Sequence, residues 1–374
     1  MKKLPRLFAL LAVPLLVATG CAEESSSDPG AAADLTSAQE RIDQYSSAPA
    51  FEAPGDAFDA GAAMAGATIA SIPVNSAIDF TQFYAEAAQR IADEVGFEIT
   101  SYQNQGVPTE WGQGVTTAIA ADVDLLELFA GIDPAQIAPQ MIQAEEAGIP
   151  VLATDGYDLT QNPDGSVTGS VPCPCSLAGQ LMADWVTVQT EGAGTALVLT
   201  SSDVYASSAM EEVMREEFSD VCPGCDVRYI DVPSADWATK ILPQVQAELV
   251  ADPEIDYVLP VFDTMSIWAT QAITQSGRDD VRIATYNGTP SILQLMGESD
   301  VIEMNVGQSN DWMAHVVLDQ AMRQVAGLPL NPKASWPLYI WTKENLAEAG
   351  TPPTDSQGYG SEYRSAFLEL WGLA

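Results

Sequence analysis

The sequence predicts an α/β protein of two lobes, each a doubly wound parallel sheet, and three observations predict it. From residue 67 onward, short apolar runs alternate with segments of helical period. The first run, Ala67 to Val74, is a short apolar run suited to a parallel strand buried between two helix layers. The alternation breaks at a polar stretch, 162–169, and then restarts.

Taken in order, the first element is a targeting segment. Lys2, Lys3 and Arg6 precede an apolar stretch from Phe8 to Ala18, too short and too poorly flanked to span a bilayer, so residues 1–20 read as a signal peptide. Ala18-Thr19-Gly20-Cys21 resembles the lipobox of bacterial lipoproteins, with Ala18 where Leu is favoured; the resemblance implies cleavage before Cys21 and its lipidation. Residues 21–65 are expected to be the acylated Cys and a linker, since Glu23 to Ala33 contain no large apolar residue.

Ala67 to Val74 is a strand, followed by a helix whose Phe80, Tyr84, Ala87, Ala88, Ile91 and Val95 share a face until Gly96 stops it. Strands at 98–102, 124–130 and 150–154 then alternate with helices at 109–121 and 134–147. The segment Asn162 to Gly169 is expected to be hairpin-like. Beyond it come helices at 177–189, 206–218, 238–250, 265–275 and 291–297, and strands at 195–200, 227–231, 257–262 and 282–286. These are βα units with right-handed crossovers. A last core helix, 311–326, carries the lone His315, expected at the surface or half-buried. The tail from Ser361, with Tyr363, Phe367 and Trp371, is expected to dock as a helix on a lobe.

The 374 residues include 52 acidic against 14 basic, a formal charge of −38; loss of the three basic residues of the signal takes it to −41. Nucleic acid and anionic lipid surfaces are poor partners for such a chain. Because the acids are spread along the whole length, solubility explains them better than a preference for cationic ligands. The remaining cysteines fall in Cys173-Pro174-Cys175 and Cys222-Pro223-Gly224-Cys225. A one-residue gap disfavours structural zinc, and an exported chain favours disulfides: Cys222 with Cys225 first, cross-pairing of the two motifs second. No metal and no cofactor is expected.

Over residues 66–343 the order of elements resembles the ribose-binding branch of type I periplasmic binding proteins. Ala88-Gln89-Arg90-Ile91-Ala92-Asp93-Glu94-Val95-Gly96-Phe97 looks like the family's first helix running into its second strand. Ala147-Gly148-Ile149-Pro150-Val151-Leu152-Ala153-Thr154-Asp155 resembles A-x-I-P-V-x-x-x-D, and Asn287-Gly288-Thr289-Pro290 resembles the D-G-T-P turn with Asn287 in place of Asp. The resemblance implies a three-segment hinge, near 170–172, 308–310 and 336–338. Lobe 1 is then 66–171 with 309–337, and lobe 2 is 172–308 with 338–374.

Ligands of open parallel sheets bind beyond the carboxyl ends of the strands, so the loops there hold the candidates. They are Asn75, Asp79 and Phe80 after the first strand, Asp155 after the fourth, and Trp237, Asp263, Asn287 and Gln308 in the second lobe. The resemblance gives Phe80 and Trp237 stacking roles, Asp155 and Asp263 acceptor roles, and Asn287 and Gln308 amide contacts. Trp111 and Tyr205 are balanced between cleft and ordinary packing. The family's Arg after Asp155 is replaced by Gly156, which puts ribose itself in doubt.

No Gly-x-Ser-x-Gly elbow, Walker loop or His-containing metal motif is present, and a single His leaves the common triads little to work with. The expectation is therefore a monomeric, extracytoplasmic lipoprotein, not an enzyme, touching the membrane through its lipid alone. It captures a sugar or sugar-like solute between its lobes and hands it to the permease subunits of an ABC importer. A cationic or heteroaromatic solute such as a nucleoside or polyamine, or a chemosensory role, is the alternative.

Overall fold

The structure, a computed structural model, describes residues 33–374. The signal-peptide and lipidation expectations, Cys21 included, lie outside the described residues. In chain order the helices and strands are α1 Leu35–Gln44, α2 Ala60–Ala63, β1 Thr68–Pro73, α3 Asp79–Val95, β2 Glu98–Ser101, α4 Pro108–Ala120, β3 Leu125–Phe129, α5 Ala138–Ala147, β4 Val151–Asp158 and β5 Gly169–Cys173. There follow α6 Cys175–Gln189, β6 Thr195–Thr200, α7 Tyr205–Val221, β7 Asp226–Asp231, α8 Trp237–Ala251, β8 Tyr257–Pro260, α9 Ser266–Gln275, β9 Arg282–Asn287 and α10 Pro290–Glu298. The chain ends with β10 Ile302–Gly307, α11 Asn310–Val325, β11 Tyr339–Thr342 and α12 Glu362–Leu370.

Two sheets form, ordered β2-β1-β3-β4-β5 and β11-β10-β9-β8-β6-β7. Every pairing is parallel except β10 with β11, an antiparallel edge. The α/β class follows from the sequence at most positions: α3 buries its predicted face and stops at Gly96, whose φ of 97° suits a residue without a side chain.

The hairpin expected at 162–169 does not form. Thr168 ties itself to the start of β4, its N–H donating to Val151 O at 2.8 Å and its Oγ1 accepting from Val151 N at 2.7 Å. The chain has thus been carried back before pairing begins, so β5 lies parallel to β4, with Ser170 opposite Ala153. The strands β10 and β11 and the helix α1 were not expected.

Crossings lie at or beside the three expected hinge segments, and two more join them. Helix α11 packs on α3 and belongs with the first sheet, whereas α6 packs on α7 and β9 and α1 packs on α6. The chain therefore crosses between lobes five times: at 45–59, 173–175, 307–310, 326–338 and 343–361. The tail, placed with lobe 2 from sequence, docks on lobe 1, because Tyr363 stacks on Trp312 at 4.3 Å and Trp371 donates its Nε1 to Asp319 at 2.9 Å. His315 is buried between α11 and that tail, its ring stacked on Trp371 and its Nδ1 2.7 Å from Asp311 O. Burial there lowers its pKa.

The linker segment 45–66 is ordered against both lobes. Ile340 N donates to Tyr45 O at 2.8 Å beside the second sheet; on the other lobe Phe51 meets Phe367 edge-on and Phe58 N donates to Leu370 O at 2.9 Å. The cysteines pair within each motif, Cys173 with Cys175 and Cys222 with Cys225, at Cα separations of 5.2 and 5.4 Å. The first pair sits on a lobe crossing.

Candidate ligand-binding site

The carboxyl ends of both sheets face each other across a cleft walled by residues of both lobes. The lobes also touch directly: Tyr205 N donates to Gly131 O at 3.1 Å, and Tyr205 meets Tyr157 edge-on at 5.0 Å. Tyr205 is therefore an interlobe contact, whereas Trp111 is core, its Nε1 donating to Val74 O at 2.8 Å.

Of the eight predicted ligand contacts, four line the cavity: Phe80, Asp155, Trp237 and Asn287. Phe80 stands at the first turn of α3 and stacks on Phe129. Trp237 opens α8; its Nε1 is held by Val232 O at 3.0 Å and Ser201 Oγ at 3.2 Å, which fixes the indole as a wall beside Phe262.

Asp155 is 8% exposed, sits at a φ of 50° and has no hydrogen-bond partner among the described residues. Burial pushes its carboxyl well above the usual carboxylate range. Among the described residues no Lys, Arg or His lines the cavity to compensate it. A buried carboxyl without a partner is costly, and a ligand that donates to it recovers that cost.

The other four stand elsewhere, each for a physical reason. Asn75 stabilises its own loop, accepting from Ala77 N at 3.0 Å and donating to Gln105 O at 3.3 Å. Asp79 heads α3, half-buried and outside the cavity wall. Asp263 is fully buried and already satisfied by Thr289 N at 2.7 Å, Thr289 Oγ1 at 2.9 Å and Asn305 Nδ2 at 3.3 Å. Burial still carries its carboxyl up to about 7. Gln308 lies behind the wall on a lobe crossing: its Oε1 accepts from Tyr286 Oη at 2.6 Å and from Trp336 Nε1, and its Nε2 donates to Asn287 Oδ1 at 3.3 Å.

The wall also contains residues not singled out from sequence. Val74, Ile78 and Ala130 come from the first lobe; Val204, Phe262 and Thr264 come from the second. Most follow a strand, so the strand-end rule that found Asp155 would have reached them. Cys175 lines the cavity through the disulfide at the crossing, which no local pattern foretold.

A sequence model described as a periplasmic binding protein domain matches residues 69–329. The ribose import binding protein of Salmonella typhimurium is 25% identical over 229 residues, covering 61% of this chain and 75% of that one. Two solved structures share the fold: a sugar ABC transporter protein of Yersinia enterocolitica (TM-score 0.70, 18% identity, 86% of this chain and 99% of that one) and a 5-methylthioribose transporter solute-binding protein of Thermotoga lettingae, in complex with 5-methylthioribose (0.69, 20%, 82% and 92%). Members of this family are extracytoplasmic solute-binding proteins of transport systems, and no described helix is long and apolar enough to cross a membrane. With the match spanning more than two thirds of its length, and two parallel-sheet lobes facing each other across a cleft, the chain belongs to the type I periplasmic binding proteins, in their ribose-binding-like branch.

Proposed function

We propose that this protein captures a sugar or sugar-like molecule between its lobes and delivers it unchanged to the permease of an ABC importer, as a monomer held outside the cell by lipidated Cys21. The observation that carries the reading is Asp155, an unpartnered carboxylate facing a cavity walled by both lobes. One carboxylate accepts two hydroxyl donors at once, and charge-assisted bonds are the stronger kind. Closure brings the second lobe onto the ligand. The chemistry of the wall contains no nucleophile paired with a base, which supports binding without turnover. The sugar named for the ribose and 5-methylthioribose relatives supports the solute class here.

A second reading, a cationic solute, is favoured by the same carboxylate standing with no cation beside it. A thermal-shift screen of the chain from residue 33 separates them, because a ligand that binds only the folded state raises the melting temperature by mass action. Pentoses, hexoses and polyols are set against polyamines and basic amino acids. Stabilisation by sugars, lost in Asp155→Ala, is the expected result; a response confined to cations would overturn the sugar assignment.

A further inference from the structure

The polarity of the cleft is graded along both sheets. Counting outward from the crossings, the first sheet runs β5, β4, β3, β1 and the second β10, β9, β8, β6, β7. The polar groups facing the cavity stand on the hinge-side strands, Asp155 on β4 and Tyr286 with Asn287 on β9. On the outer strands and the loops after them stand Val74, Phe80, Val204, Phe262 and Trp237.

Few of the polar atoms are free. The Tyr286 hydroxyl is spent on Gln308, the Trp237 N–H on Ser201 and Val232, and the Thr81 hydroxyl on Asn75 O at 2.7 Å. Asp155 and the Asn287 Nδ2 have no hydrogen-bond partner among the described residues, so one acceptor group and one donor remain at the hinge end. At the outer end the Thr264 hydroxyl stands among apolar walls with no hydrogen-bond partner among the described residues.

We infer that the ligand is a sugar-like ring whose hydroxyls meet Asp155 and Asn287 and whose opposite end carries an apolar substituent, a thioether, alkyl or aryl group, lying among Val74, Phe80, Val204 and Phe262. This rests on the sugar-capture reading and narrows it. A ring bearing hydroxyls on every side would bury some of them against carbon, where they forfeit the hydrogen bonds they made in water. An apolar group in that position gains from leaving water instead.

Titration calorimetry with matched pairs tests this, using a free pentose or hexose and its methylthio, alkyl or aryl derivative with the same ring hydroxyls. The derivative is expected to bind at least about tenfold tighter, a ratio equal to about 1.4 kcal/mol. Val74→Thr, which adds a hydroxyl to the outer wall at nearly constant volume, is expected to narrow the ratio by strengthening the free sugar. Equal or tighter binding of the free sugar would overturn the inference and leave sugar capture standing. Silence from both members of every pair would overturn sugar capture itself, and the inference with it.

Discussion

Asp155 sets the balance between stability and capture. A carboxyl whose folded pKa is raised binds its proton more tightly in the fold than in the unfolded chain, so the fold loses stability as pH climbs from the usual carboxylate value, about 4, toward the raised one. Asp155→Asn removes that loss. Its melting temperature, measured without ligand, should exceed the native one by a margin that grows as pH rises above about 4. The same variant should bind ligand about 10- to 100-fold more weakly, the worth of one charge-assisted hydrogen bond. Asp263 follows the same sign through about 7, but it is enclosed by Thr289 and Asn305 and should leave affinity untouched in the conservative Asp263→Asn. From sequence the two aspartates look alike, each at the end of a strand. What separates them is a threonine 26 residues and an asparagine 42 residues further on, which no local pattern displays.

Among the elements, the ones that escaped sequence reading are those whose polar residues are answered at a distance. Strand β10 reads Ile-Glu-Met-Asn-Val-Gly, too polar for a buried strand in isolation. In the fold Glu303 accepts from Trp185 Nε1 at 3.0 Å and from the Tyr257 hydroxyl, and Asn305 pairs with Asp263. Helix α1 hides likewise in a segment that reads as linker. Its Arg41 grips buried Asp184 with Nε at 2.8 Å and Nη2 at 2.6 Å, and also reaches Glu217. Even so, burial leaves the Asp184 carboxyl raised to about 7. Arg41→Met keeps the stem but leaves two carboxylates without their cation. It should cost about 2–3 kcal/mol in urea unfolding, below the loss for a fully buried pair because Arg41 is partly exposed. The triple variant R41M/D184N/E217Q should restore most of it. The regular βα units, by contrast, were legible almost to the residue, since the inner strands are largely apolar and several helices carry their own stop, as α3 does in Gly96 and α5 in Gly148.

For the whole molecule, the contact between lobes supplies a handle on closure. Gly131 has a φ of 92°, and a side-chain carbon there would stand 2.7 Å from Val204 Cγ1 of the opposite lobe. Gly131→Ala pays backbone strain of about 1–2 kcal/mol in any arrangement, whereas the clash arises only when the lobes meet. The variant should stay folded, bind its ligand at least about tenfold more weakly, and remain expanded in small-angle scattering at a ligand concentration that compacts the native protein. Compaction equal to the native would show that closure does not pass through this contact.

The five crossings carry a kinetic consequence. One of them, 45–59, is fastened on both lobes, by Tyr45 O to Ile340 on one side and by Phe51 and Phe58 to the tail helix on the other. Such a clasp limits how far the cleft gapes without favouring any particular occupant. Arrival and escape of the solute are both expected to slow, an outcome that stopped-flow binding measures. The time for which the carrier holds its cargo then becomes a property of the clasp as well as of the pocket, separate from how tightly the pocket grips.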